Sequence, residues 1–293
     1  MKGFRAACGV LPPGMMAGAE RLSDMDKLRA EEFRLRVGYP PTVLLDDGER
    51  VFSAAPVSPE DIRLLAERAA RCSLHAQQDA LRHGFLSAGE GVRVGLCGES
   101  RGDTIGAFSS AAVRIPRAVP GCADPVWHEL IRGGFSSTLI LAPPGGGKTT
   151  LLRELIRRLS QMGLRVGVVD ERGEIAGCAE GVAGFDVGPF TDVITGVEKP
   201  RAVSMLLRAM NPQVIAMDEI TDPADGRALL EAVGCGVTLL ATAHAGSREE
   251  LLLRQTGMHL LESGAFSRYV TVSRRWSERV YMVEDYSWNG WER

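Results

Sequence analysis

Lys148 and Thr149 close the run Ala142-Pro143-Pro144-Gly145-Gly146-Gly147-Lys148-Thr149-Thr150, and these residue types in this order suit a phosphate-binding turn. Glycines let successive backbone N–H groups point inward around phosphate oxygens, at a helix start whose dipole already favours anions. The lysine then brings charge to the β- and γ-phosphates, and the threonine hydroxyl serves Mg²⁺. Apolar Leu139-Ile140-Leu141 precedes the turn, and Leu152, Leu155, Ile156 and Leu159 follow it at helical spacing. Strand, turn and helix together form the context of a Walker A motif. Ala142 stands where that motif usually opens with glycine. The expected nucleotide contacts are Pro144, Gly145, Gly146, Gly147, Lys148, Thr149 and Thr150, with Thr149 also on the metal.

Such a site needs carboxylates, and Val214-Ile215-Ala216-Met217 runs directly into Asp218-Glu219, the Walker B form. Asp218 is expected to orient Mg²⁺ through water, and Glu219 to polarise the attacking water. A second acidic group, Asp170-Glu171-Arg172-Gly173-Glu174, follows apolar Val166-Gly167-Val168-Val169, so it too should lie at the carboxyl edge of a sheet. A solvated loop is the competing reading for it. His244, two residues beyond Thr242 at the end of another apolar run, is placed to hydrogen-bond a γ-phosphate or a carboxylate and so report hydrolysis. Arg153, Arg157 and Arg158 are expected on the solvated face of the helix after the turn.

These groups must be held by a frame, and the frame is legible in part. The apolar runs at 138–141, 166–169, 214–217 and 237–240 lack alternation, as strands buried on both faces of a parallel sheet do. Residues 121–293 therefore read as an α/β P-loop domain. Before it, Phe33-Arg34-Leu35-Arg36-Val37 alternates, Val43-Leu44-Leu45 follows, and Ser58-Pro59-Glu60-Asp61 carries a helix start with a buried stripe at Ile62, Leu65, Ala69 and Cys72. Glycines among short apolar pieces over 84–106 suggest twisted strands. Residues 1–120 read as a smaller α+β domain, with a linker at Pro116, Pro120, Gly121 and Pro125.

The bulk properties narrow the class. With 45% hydrophobic and 24% charged residues and a net charge of -3, the chain is an ordinary globular protein with no basic field pointing to nucleic acid. Its six cysteines form no C-x-x-C pair, which predicts neither a zinc site nor a disulfide framework, but reduced, mostly buried thiols. No apolar run reaches the roughly 18 residues of a membrane span, and Pro12-Pro13 interrupts an N-terminal stretch that faintly imitates a secretory signal.

The order of the pieces resembles the ATPases of type II and type IV secretion and type IV pilus systems, in which Walker A is followed by an acidic box, Walker B and a histidine box. Asp170, Glu171 and Glu174 match the acidic box, Glu219-Ile220 with Asp222 the Walker B ending, and Thr242 with His244 the histidine box. Asp170 precedes Glu171 where that family usually has Glu before Asp, Asp218 replaces its glycine, and Thr221 its arginine. Over nearly the whole chain, Phe33 to Gly38, Leu81-Arg82-His83-Gly84-Phe85, Arg93-Val94-Gly95 and Ala142 to Thr150 resemble the stage III sporulation protein AA family. The resemblance implies a RecA-like core, ATP and Mg²⁺, and Glu219, Glu171, Glu174 and His244 as catalytic groups. It also implies nucleotide-contacting arginines from the N-terminal domain, with Arg114 and Arg117 the nearest. By the same resemblance the chain would be a cytoplasmic, mother-cell ATPase, a hexameric homo-oligomer held at the membrane by embedded sporulation channel proteins. A nucleic-acid motor and a non-hydrolysing ATP-binding switch are the alternatives.

Overall fold

The structure, a computed structural model, describes residues 1–70, 84–101, 104–178, 181–253, 263–275 and 278–286. Cys72 and the Leu81 to His83 part of the quoted motifs lie outside these residues. The chain divides into two compact units: Met1–Arg117 with Gly177–Phe185, and Ala118–Ala176 with Asp186–Arg293. No signal in the sequence pointed to the return of 177–185 to the first unit.

The first unit is a six-stranded antiparallel sheet in the order β3-β2-β1-β6-β5-β4, built from β1 (Glu32–Arg36), β2 (Thr42–Leu45), β3 (Gly48–Val51), β4 (Phe85–Gly89), β5 (Val92–Arg101) and β6 (Thr104–Arg114). Three short helices precede it, α1 (Lys2–Cys8), α2 (Pro13–Glu20) and α3 (Asp24–Arg29). Pro13, rather than breaking structure, takes the first position of α2, where a proline costs no hydrogen bond. In α4 (Pro59–Ala69) the Ser58 hydroxyl accepts from the Asp61 N–H while the Asp61 carboxylate accepts from the Ser58 N–H, a complete capping box. Ile62, Leu65 and Ala69 are buried as the stripe requires. Alternation along β1 sends Phe33 and Leu35 inward, and Phe33 meets Phe4 and Phe52 edge to face at 5.4 and 5.3 Å.

The second unit is α/β. Its seven-stranded sheet runs β13-β12-β7-β11-β10-β8-β9 and is parallel throughout except for the β12/β13 edge pair. The strands are β7 (Thr138–Ala142), β8 (Val166–Asp170), β9 (Thr191–Thr195), β10 (Val214–Met217), β11 (Thr238–His244), β12 (Arg268–Arg275) and β13 (Glu278–Asp285). Every residue of β7, β8 and β10 is buried, which is why their sequences are apolar without alternation. The helices are α5 (Asp124–Leu130), α6 (Lys148–Gln161), α7 (Lys199–Ala209), α8 (Pro223–Gly234) and α9 (Arg248–Leu252). The register sets His244 beside Ala142, and Met217 beside both Ala241 and Val169. The carboxyl ends of β7, β8, β10 and β11 thus open on one edge.

Two expectations fail here. Of the five cysteines described, only Cys8 is fully buried, and Cys97 and Cys235 are exposed. Arg153 is not solvated: it is 7% exposed, and its guanidinium donates to the carbonyls of Ile175 and Glu174, each at 2.6 Å. Arg157 and Arg158 turn back on Glu154. The three positions follow polar periodicity, but the loop after β8 folds over this face of α6, which no local pattern could announce. Among the described residues no helix is long and apolar enough to cross a membrane.

Candidate nucleotide-binding site

The turn after β7 is built as its glycines predict. Gly145 and Gly147 have φ of +72° and +92°, the left-handed region open to glycine. Gly146 has ordinary φ but no room: a Cβ there would fall 2.8 Å from the Ala142 Cβ and 2.9 Å from the Pro143 carbonyl oxygen. Its N–H donates to that same oxygen at 3.0 Å, closing the turn. α6 starts at Lys148, which is 8% exposed, and Thr149 and Thr150 stand in its first turn. Pro144 is exposed at the rim.

At the same edge the Thr149 hydroxyl donates to the Asp218 carboxylate at 2.8 Å, and the Thr242 hydroxyl donates to the other Asp218 oxygen at 2.6 Å. Thr242 also accepts the Glu219 N–H at 2.8 Å, and its carbonyl accepts the Ile220 N–H at 2.9 Å. Glu219 has φ +44°, a conformation that costs a non-glycine residue about 1–3 kcal/mol and persists only where neighbours enforce it. It is enforced from both sides, because the Lys199 ammonium donates to the Glu219 carbonyl at 2.7 Å. The same ammonium reaches Asp225 at 3.3 Å and Glu171 at 3.9 Å, and is buried.

The Glu219 carboxylate lies 3.1 Å from His244 Nε2 and 3.5 Å from Arg172. His244 Nε2 is also 3.1 Å from the Lys148 ammonium. One ring nitrogen cannot do both tasks: to accept from Lys148 it must be bare, and to donate to Glu219 it must carry the proton. The ring therefore holds Lys148 or Glu219, according to its tautomer.

The acidic segment divides its labour. Asp170, 2% exposed, turns inward and accepts the N–H groups of Glu174, Ile175 and Ala176 at 2.8, 3.0 and 2.8 Å. Burial raises its pKa above the usual carboxylate value, against the pull of those three bonds. Asp170 thus shapes the loop, while Glu171 faces Lys199. Glu174 contributes its backbone to this wrap, through its N–H to Asp170 and its carbonyl to Arg153. A small cleft is lined by Asp170, Glu171, Arg172, Lys199, Asp218 and Glu219 among others. A second depression, lined by Arg165, Asn211 and Cys235 among others, opens at the amino ends of β10 and β11 and holds none of these groups.

Lys148, His244, Glu219, Thr242, Asp218 and Thr149 are therefore linked in one chain of contacts, and Glu171 joins through Lys199. Arg114 and Arg117 belong to the first unit and have partners there, Arg114 with Glu32 at 3.8 Å, and Arg117 with Glu31 and the Leu28 carbonyl at 3.5 and 2.8 Å. Lys199 was missed from the sequence. It follows a Glu at the start of an amphipathic helix and reads as surface charge, so no local signal marks it.

Mg²⁺ favours oxygen ligands and keeps several waters, with one or two carboxylates and substrate phosphates completing its shell. The adjacent Thr149 hydroxyl and Asp218 carboxylate fit that demand. Among the described residues no cluster of three or more His, Cys, Asp or Glu side chains suggests a self-sufficient metal site.

Comparison with known proteins agrees with this architecture. A family model described as sporulation stage III, protein AA, matches residues 18–281. The stage III sporulation protein AA of Bacillus subtilis (strain 168) is 34% identical over 275 residues, covering 90% of this chain and 89% of that protein. Among solved structures, the pilus retraction motor PilT with bound ADP superposes with a TM-score of 0.62 at 17% identity, over 90% of this chain and 82% of that one. The ATPase DotB of Legionella pneumophila gives 0.58 at 16% identity, over 88% and 79%. At such identities these two establish a shared fold. The family match spans nearly the whole sequence and rests on a relative of nearly equal length, so the chain belongs to the sporulation stage III protein AA family.

Proposed function

We propose that the second unit is a RecA-like motor core that hydrolyses ATP with Mg²⁺. The observation that carries the reading is the Thr149 hydroxyl on the Asp218 carboxylate at 2.8 Å. It joins the end of the glycine turn to the strand end that bears Glu219. Lys148 and the N–H groups of Gly145 to Thr150 hold the phosphates, and Thr149 with Asp218 would hold Mg²⁺. Bound there, the metal would neutralise developing charge between the β- and γ-phosphates.

Glu219 accepts a proton from the water that attacks the γ-phosphorus. Its strained backbone aims the carboxylate, and Thr242 and Lys199 hold that backbone. When phosphate draws Lys148 off His244, Nε2 is free to carry a proton and donate to Glu219 or to the γ-phosphate. His244 thereby couples the state of the nucleotide to the position of the base. Glu171 and Glu174, on the wrap organised by Asp170, are further carboxylates of the site.

The family membership, with the fold shared by PilT and DotB, supports a motor role in sporulation: a mother-cell hexamer acting on membrane-embedded proteins of a channel toward the forespore. Arg114 and Arg117 are the arginines of the first unit proposed to reach nucleotide. Phosphate release by the purified chain tests the catalytic core. Wild type should exceed Lys148→Ala and Glu219→Gln by at least about 100-fold, on the scale of removing a base or a phosphate clamp. Equal rates in all three would reject it.

A further inference from the structure

Gly147 is glycine because of its φ of +92°, and an arginine lies against its bare α-carbon. A Cβ built on it would fall 2.7 Å from Arg279 Nε, 2.9 Å from its Cζ and 3.0 Å from an Nη. The Arg279 guanidinium therefore occupies the space that a side chain on the phosphate turn would need. Arg279 arrives from β13, more than 130 residues after the turn in sequence. Its charge also acts on Cys122, whose thiol faces the Thr150 carbonyl at 3.7 Å.

The guanidinium is a permanent cation with five donors, and Arg279 is exposed, with no hydrogen bond or ion pair to any described residue. Arg268 on β12 differs, being held by Asp285 at 2.6 Å. Lys148 adds a second cation, next to Gly147 in the chain. Two cations that converge on a glycine turn suit an anion held by that turn.

We propose that Arg279 is a phosphate ligand supplied in cis, its guanidinium taking a non-bridging oxygen of the nucleoside di- or triphosphate held by the turn. The assignment rests on the nucleotide reading of that turn and adds a residue from the far end of the chain. It makes the β12/β13 hairpin part of the site. The strand edge at which the sheet turns antiparallel then has a use, which is to bring a cation alongside β7.

Titration of a fluorescent ADP analogue with Mg²⁺ into wild type, Lys148→Ala, Arg279→Ala and Arg279→Lys tests this. Arg279→Ala should weaken binding about tenfold, the scale of one charge-assisted hydrogen bond, and Arg279→Lys should recover part of the loss. The affinity of Arg279→Ala should also fall less steeply with added salt than that of wild type. The unfolding midpoint without nucleotide should not move, since the side chain is exposed. If wild type binds and Lys148→Ala does not, while Arg279→Ala stays within twofold of wild type, this inference fails and the nucleotide reading stands. A loss with unchanged salt dependence would put Arg279 on base or ribose and also overturn it. No binding by wild type would remove both readings together.

Discussion

Replacing Lys199 by methionine keeps the apolar stem and deletes the ammonium. Three groups lose a partner, the Glu219 carbonyl at 2.7 Å, the Asp225 carboxylate at 3.3 Å and the Glu171 carboxylate at 3.9 Å. The Lys199 and Asp225 side chains are 9% and 6% exposed, so this is a buried pair, and breaking such a pair costs about 3–5 kcal/mol. Asp225 keeps two backbone donors, the N–H groups of Thr221 and Asp222, both at 3.2 Å, which brings the expected loss to about 2–3 kcal/mol. Trp127 lies on α5 of the second unit with the Arg158 guanidinium over its ring, and tryptophan fluorescence through a urea titration reads the loss. Turnover should fall at least about tenfold, or about 1.4 kcal/mol of barrier, because Glu219 loses one of the two bonds holding its strained backbone. Lys199→Arg should restore stability better than turnover, since the planar fork cannot address carbonyl and carboxylate as a point charge does. A stability change below about 0.5 kcal/mol with unaltered turnover would refute the claim that Lys199 holds the Asp218-Glu219 loop.

Glu154 makes the second unit acid-sensitive. Its burial opposes ionisation, but bonds from Arg157, the Gly121 N–H and Arg158 prevail and lower its pKa from 4.5 to about 2. A pKa lower in the folded state stabilises the fold above the unfolded value. That contribution, at most on the order of 3 kcal/mol, is lost as pH falls from about 5 toward 2. Urea midpoints of Glu154→Gln should lie below wild type at pH 7 and change less across that window. Gly146→Ala should abolish nucleotide binding and lower thermal stability, because its Cβ would press on Ala142 and Pro143; calorimetric titration with ADP beside a melting curve would reveal either failure. Glu219→Gln should retain nucleotide affinity while losing phosphate release, and loss of both together would count against its role as base.

Much of the second unit was legible because its rules are local or periodic. Uninterrupted burial of β7, β8 and β10 demands apolar runs, and parallel strands send their carboxyl ends to one edge, so Lys148, Asp218, Glu219 and His244 could be grouped before any coordinates. The capping box at Ser58 and Asp61 was equally plain, being a four-residue pattern. Asp170 and Arg153 were not, because each acts through the backbone of a loop whose path depends on the rest of the domain. An inward carboxylate receiving three N–H groups and an arginine spent on two carbonyls have the same sequence signature as solvated charge.

By itself, then, the sequence determined the phosphate turn and the strands that end beside it, while the family came from the resemblance of its motifs to known proteins. The turn and the strands follow from glycine stereochemistry, helix polarity and hydrophobic period, which act over a few residues. Tertiary structure alone decided that Lys199 holds the strained Glu219 from α7, that His244 stands between Lys148 and Glu219, that Arg279 covers Gly147, and that 177–185 joins the first unit. Each of these joins residues tens to more than a hundred positions apart, through side chains whose types are common on any surface. Only the packing of the sheet and its helices brings them together.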